Sequence, residues 1–360
     1  MVMATLRYLP LAQVPQWLDG LAKSYTVFAP AREGSAVVYR PRAEGSMPEL
    51  TARPTESAKH VVFPRAHELF SFTYKADPAV VGKRDLTLTQ PQDPTPTVVF
   101  GALSCDARGF FAFDPVYDGC GTKGLAKDVY YLKRRQNTAL VVLACRTALA
   151  TCFCNWTGGS PASREGADVL ATLVNDGLVM EALTPKGEEL VSGLAEAGAE
   201  QGAAAEASHT AAEATMAPVP GAPLDPKAIA DAVLARFDDA TFWQAESAGC
   251  LACGACTYLC PTCYCFNITD ESNGISGVRL RSWDTCMASL FTLEASGHNP
   301  RTAKANRLKN RVGHKFSYYP SLHGGRFSCC GCGRCIKSCP SSVDIRRIVQ
   351  NALAAANVKE

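Results

Sequence analysis

Hydrophobic and polar positions divide the chain into two unlike halves. In the first half, short apolar runs alternate with mixed stretches. VPQWLDGLAKSY (14–25) reads as a helix, and the β-rich runs TVFAP (26–30) and SAVVYRP (35–41) read as strands. TVVFGALSC (97–105), DVYYLKRRQN (128–137) and ALVVLAC (139–145) form a strand–helix–strand unit, which implies parallel pairing. DVLATLV and LVMEAL flank Asn175, Asp176 and Gly177 as a hairpin. Pro185, after Thr184, suits a helix start. In the second half, Asp225 and Pro226 suit the cap and first position of a helix through IADAVLARF. Beyond it little reads as strand, and 282–296 and 301–315 read as helical.

Between the halves, residues 193–225 are Ala, Gly, Glu and Pro with large apolar residues only at the edges. Such a stretch buries too little surface to offset its ordering entropy and reads as a linker, with an Ala-rich helix over 194–215 as the alternative. The expected organisation is an α/β domain over 1–192, a mixed sheet containing the parallel unit. A linker over 193–224 and an all-α domain over 225–360 follow.

Composition adds limits. A chain of 360 residues has room for two cores, and 47% hydrophobic with 19% charged residues is ordinary for a globular protein. A net charge of +2 gives no reason to expect nucleic acid or an acidic membrane as partner. No apolar run approaches the roughly 18 residues that span a bilayer, and the N-terminus lacks the pattern of a secretory leader. The expectation is a cytoplasmic protein without membrane contact, whose 17 cysteines are ligands rather than disulfides.

Cys250, Cys253, Cys256 and Cys260, followed by Pro261, have the spacing C-x2-C-x2-C-x3-C-P, and Cys329, Cys332, Cys335 and Cys339, followed by Pro340, repeat it. This is the ferredoxin-type run for 4Fe-4S clusters, in which the fourth cysteine serves the neighbouring cluster. It assigns Cys250, Cys253, Cys256 and Cys339 to one cluster and Cys329, Cys332, Cys335 and Cys260 to a second. Gly254, Gly331 and Gly333 let the loop backbones approach them. Zinc is the competing occupant, but zinc ribbons use paired C-x2-C knuckles. The long interval from Cys260 to Cys329 favours a helical ferredoxin arrangement. Cys263, Cys265 and Cys286 are one thiol short of a closed site, and Cys330 reads as a small hydrophobe.

In the first half, Cys105 and Cys145 end the two strands of the parallel unit, at the edge where α/β sheets place ligands. Cys152 and Cys154 follow in the next loop, so four thiols converge on a third metal site, another 4Fe-4S cluster or other metal. Cys120 stands apart. The surrounding GCGTKG matches G-x-G-x-x-G formally, but FDPVYD rather than a strand precedes it, and it is rejected. Eight Lys or Arg between Arg279 and Lys315 form a basic stretch. It is read as a solvated face, as counter-charge to cysteinate clusters or as a dock for an acidic partner.

CLACGACTYLCPTCYCFNI, SWDTC, VGHK and CCGCGRCIKSCP, with SCD (104–106), DVYYLKRR and TCFC (151–154), together resemble two iron–sulfur protein families. One is the iron–sulfur subunit of anaerobic sulfite reductases. The other is the beta subunit of cytoplasmic NiFe hydrogenases and sulfhydrogenases. The resemblance spans nearly the whole chain except the linker. It carries over Cys105, Cys145, Cys152, Cys154, Cys263, Cys265 and Cys286 as motif positions, and neither Cys120 nor Cys330. It implies a dicluster electron carrier of anaerobic metabolism, part of a hetero-oligomer. A separate reductase subunit would bind FAD and NAD(P)H, and a catalytic redox subunit would stand at the other end. The carrier itself holds no flavin and has no catalytic residue. Two rivals stand: a catalytic subunit with substrate at the N-terminal cluster, and a zinc-stabilised interaction scaffold.

Overall fold

The computed structural model describes residues 6–119, 126–218 and 225–357. Cys120 and the rest of the rejected GCGTKG motif after Gly119 lie outside them.

One sheet has eight strands: β1 (Leu6–Pro10), β2 (Thr26–Glu33), β3 (Ala36–Pro41), β6 (Thr97–Leu103), β7 (Thr138–Leu143), β8 (Val169–Val174), β9 (Gly177–Ala182) and β10 (Ala195–Glu196). The second has four: β4 (Ala66–Ala76), β5 (Arg84–Thr89), β11 (Phe266–Ser272) and β12 (Ser276–Trp283). The large sheet runs in the order β10-β1-β9-β8-β7-β6-β2-β3. Its centre, β2-β6-β7-β8, is parallel and its flanks are antiparallel. β6 and β7 are apolar at nearly every position because both faces are covered. Val98, Phe100, Val141 and Val169 pack on one side with the helix Val14–Leu21, whereas Val99, Leu140 and Val142 pack with Phe110, Phe113 and Tyr131 on the other. The parallel strands end at Leu103 and Leu143, which sets Cys105 and Cys145 at one edge. At Gly101 the register with β7 shifts, φ is +74°, and a Cβ would stand 2.9 Å from the Pro30 ring.

The second half is not all helical. β11 and β12 form a hairpin that continues β4 and β5 of the first half, with Arg281 opposite His67 and Ser276 opposite Thr73. The signal was Asn273-Gly274: Gly274 takes φ +88°, and Asn273 Oδ1 accepts from the amides of Ile275 and Ser276 at 2.9 and 2.8 Å. The helix expected over 282–296 does not form. Asp284 Oδ1 takes the Thr285 amide, Thr285 Oγ1 takes that of Met287, and Asn299 binds the Ser289 carbonyl, so side chains capture backbone groups a helix would use. The helix expected over 301–315 does form, as Lys304–Gly313.

Most of the segment expected to be linker is ordered. β10 pairs with β1, and the helix Ala199–Ala214 lays Ala205, His209 and Ala212 onto the sheet, with His209 Nε2 2.8 Å from Thr172 Oγ1. Alanine methyls suffice because the helix lies close to the strands. Residues 219–224 lie outside the described ones. The remaining helices, among them Pro226–Ala235 and Ile345–Asn357, enclose a core of Trp243, Leu308, Val312, Phe316, Ile348 and Val349, which Phe153 of the first half joins.

Candidate metal centres

Cys250, Cys253 and Cys256 lie on the loop that enters the short helix Ala255–Tyr258. The loop turns through left-handed conformations at Ala252 (φ +55°) and Gly254 (φ +78°). These three thiols line one cavity with Cys339 from the second motif, alongside Arg311, Met287, Leu308 and Cys335. Cys253 is exposed.

The second loop repeats the geometry, with Gly331 and Gly333 left-handed before the helix Arg334–Lys337. Cys329, Cys332 and Cys335 stand within electrostatic reach of Cys260. Cys260 Sγ accepts from Lys315 Nζ and the Thr262 amide, both at 3.4 Å. Each motif therefore sends its last cysteine toward the other trio.

The third set is assembled from three loops of the first half. Cys105 opens the helix Ser104–Phe110, Cys145 follows β7, and Cys152 and Cys154 come from the loop beyond. All four line one cavity, joined by Arg53, Met216 and Cys332. The second and third sets are thus neighbours. A Cβ at Gly331 would lie 2.3 Å from the Phe153 carbonyl oxygen and one at Gly333 2.3 Å from that of Thr151, so these glycines seat the CCGCGRC loop on the TCFC loop. Arg334 closes the joint with a buried bidentate pair to Asp106, at 2.6 and 3.0 Å.

Cys263 lies against Cys260, Cys265 against Cys286 and Cys330 against Cys332. Among the described residues no three His, Cys, Asp or Glu side chains are gathered tightly enough for a single metal ion. A cubane asks for something else, since its thiolates bind separate irons and stand further apart.

The polar groups around the thiols fit such a polyanion. Arg311 is buried against the first cavity, and its Nε and Nη2 have no hydrogen-bond partner. At the third cavity Arg53 Nε is equally buried and unpartnered. Lys315 and Lys59 are buried with backbone, hydroxyl and thiol partners, and Lys59 Nζ also stands 4.1 Å from the Trp283 ring centroid. Burial works against the Lys315 ammonium, but Cys260, Cys263 and Cys329 outweigh it and raise its pKa well above the usual lysine value. Burial, helped by the neighbouring Lys315 ammonium, lowers Lys59 to about 8 against the raising effect of Cys263, Cys260 and Cys265. Buried cations of this kind need nearby anions, and here the groups supplied are sulfur. The metal-free thiols are pushed the other way: burial raises Cys329 to about 11 and Cys335 and Cys154 to about 12.

Half of the basic stretch is therefore internal. Arg281, Arg307, Arg311 and Lys315 are buried. Arg281 pairs with Asp128, and Arg307 donates to the carbonyls of Met287, Arg301 and Thr302. Arg53 carried no signal in the sequence, because no motif spacing marks a lone arginine in a loop.

A fold that brings two ferredoxin-type loops together, each surrounded by buried cations, defines an iron–sulfur protein of the dicluster type. Residues 249–343 match the family model of the 4Fe-4S dicluster domain. Over 331 residues the chain is 27% identical to sulfhydrogenase 2 subunit beta of Pyrococcus furiosus, a match covering 92% of this chain and 93% of that one. No solved structure matches the chain. The chain thus carries a 4Fe-4S dicluster domain and is similar over nearly its whole length to a hydrogenase beta subunit.

Proposed function

We propose that the protein relays single electrons between an FAD- and NAD(P)H-binding reductase subunit and a catalytic redox unit. That unit is a sulfite reductase, a NiFe hydrogenase or a heterodisulfide-reductase-like assembly. The observation that carries this reading is the gathering of twelve cysteines from distant loops into three neighbouring sets. Cys250, Cys253, Cys256 and Cys339 would hold one 4Fe-4S cluster, and Cys329, Cys332, Cys335 and Cys260 a second. Cys105, Cys145, Cys152 and Cys154 would hold a third. When bound, such clusters supply reversible one-electron transfer. The chain's own residues hold the thiolates, screen them from water and set their charge environment through Arg311, Lys315 and Arg53. The relative is by name a subunit, which supports a place in a hetero-oligomer.

The exposed Cys253, beside Leu251 at 68% exposure, offers one point of electron exchange. One observation favours the rival with substrate at the N-terminal site. An open groove at the carboxyl ends of β6 and β7, lined by Arg53, Arg146 and Cys145, shares Cys145 with the third cavity. Anaerobic purification with iron and sulfide analysis tests the assignment. Three clusters need about twelve irons per chain and two need about eight. A value near eight that Cys152→Ser leaves unchanged contradicts the third cluster.

A further inference from the structure

Four arginines surround the N-terminal thiols, and three of them are already matched. Arg334 pairs with Asp106 at 2.6 Å, Arg108 with Glu165 at 2.7 Å and Arg346 with Asp344 at 2.7 Å. The Arg334 and Arg346 pairs are each close to electrically neutral, and Arg108 shares Glu165 with Arg326. Arg53 differs, for no ion pair to a carboxylate is found for it among the described residues. Its Nη1 lies 2.7 Å from Cys152 Sγ and its Nη2 3.7 Å from Cys105 Sγ. The same Nη2 donates to the Cys332 carbonyl oxygen at 3.1 Å. Cys105, Cys145 and Cys152 are the anionic groups that act on it most strongly. The guanidinium is therefore a net positive charge set directly against the third thiol set and tied to the backbone of a second-set cysteine.

We propose that Arg53 is a positioning residue that sets the reduction potential of the N-terminal site and couples it to the second C-terminal site. The inference rests on the reading that Cys105, Cys145, Cys152 and Cys154 hold an iron–sulfur cluster. A nearby uncompensated cation stabilises the state with one more electron, and buried charges interact in a medium less polarisable than water. Hydrogen bonds to the thiolate sulfurs act in the same direction. Removing Arg53 therefore leaves the site harder to reduce. Removing any of the other three also takes an ion-pair partner from a carboxylate, whereas removing Arg53 takes one from no carboxylate among the described residues.

The test uses the full chain, purified anaerobically, as Arg53→Gln, Arg53→Lys and Cys152→Ser variants beside the unaltered protein. Iron content is measured first, and EPR-monitored redox titration second. The expected result for Arg53→Gln is unchanged iron and at least a tenfold fall in the reduced-to-oxidised ratio of one cluster at fixed ambient potential. That is a downward shift of about 59 mV for one electron. Arg53→Lys keeps the charge without the planar fork, so its shift should be in the same direction and smaller. Cys152→Ser separates the two readings: loss of about four irons upholds the N-terminal cluster on which the proposal stands. If Cys152→Ser removes that iron while both Arg53 variants titrate like the unaltered protein, the role of Arg53 is refuted. Should Arg53→Gln fail to retain iron, Arg53→Lys alone decides, since an unshifted titration of a fully loaded protein overturns the proposal. Unchanged iron in Cys152→Ser removes the cluster reading and the proposal with it.

Discussion

At the scale of single residues, each thiol set is read most directly through its glycines and its protons. Gly331 sits at φ +63° with its α-carbon against the Phe153 carbonyl. Adding one methyl strains the backbone and forces two metal-binding loops apart, so Gly331→Ala should cost about 2–4 kcal/mol. Thermal melts of the loaded protein check this, and an unshifted midpoint would mean the loops do not touch as described. The spacing of Gly331 and Gly333 was legible beforehand, but not their partner, since a sequence shows that a backbone must come close and not what it approaches. The protons give a second prediction. Burial holds Cys329 near 11 and Cys154 and Cys335 near 12 in the metal-free chain, and each must lose its proton to bind iron. A raised thiol pKa makes loading a proton-releasing step, favoured as pH rises toward those values and opposed as it falls. Iron incorporation by the metal-free protein should therefore increase from about pH 6 to about pH 9, and a flat or falling profile would argue against buried thiols as ligands.

Among elements, the hairpin of β11 and β12 matters most, because it makes the two halves one structure. Its alternating strands and its Asn273-Gly274 turn were available in the sequence, yet the cysteine motifs on either side suggested helices throughout. The parallel unit of β6 and β7 was legible for the opposite reason, since long runs of β-branched and apolar residues have few other uses. The helix Ala199–Ala214 was ambiguous from composition alone, and its buried Ala205 and Ala212 depend on a sheet that only the fold supplies. Pairing of β12 with β4 predicts the behaviour of a nicked chain. A protease site inserted between Pro218 and Asp225, once cut, should give two polypeptides that elute together as a single particle. Separate elution of two soluble pieces, the C-terminal one still brown, would show instead that the halves fold independently.

For the molecule as a whole, the three thiol sets are arranged from an exposed edge at Cys253 through the second set to the loops of the α/β sheet. The doubled C-x2-C-x2-C-x3-C-P made the first two sets legible residue by residue. The third was legible only by combining strand ends with a nearby C-x-C, because its ligands share no single spacing. The counter-charge was legible only in part: Arg311 and Lys315 fall in the basic stretch for which counter-charge was one reading, whereas Arg53 looks in sequence like any basic residue. No helix among the described residues is long and apolar enough to cross a membrane. A nicotinamide delivers a hydride and an iron–sulfur cluster accepts single electrons, so the proposed electron relay depends on a flavin elsewhere. The most direct measurement is anaerobic reduction of the purified chain, followed by visible absorbance. The expected result is bleaching by dithionite, none by NADH or NADPH alone, and bleaching by pyridine nucleotide once the flavoprotein partner is added. Stoichiometric bleaching of the flavin-free chain by NADH or NADPH alone would contradict it.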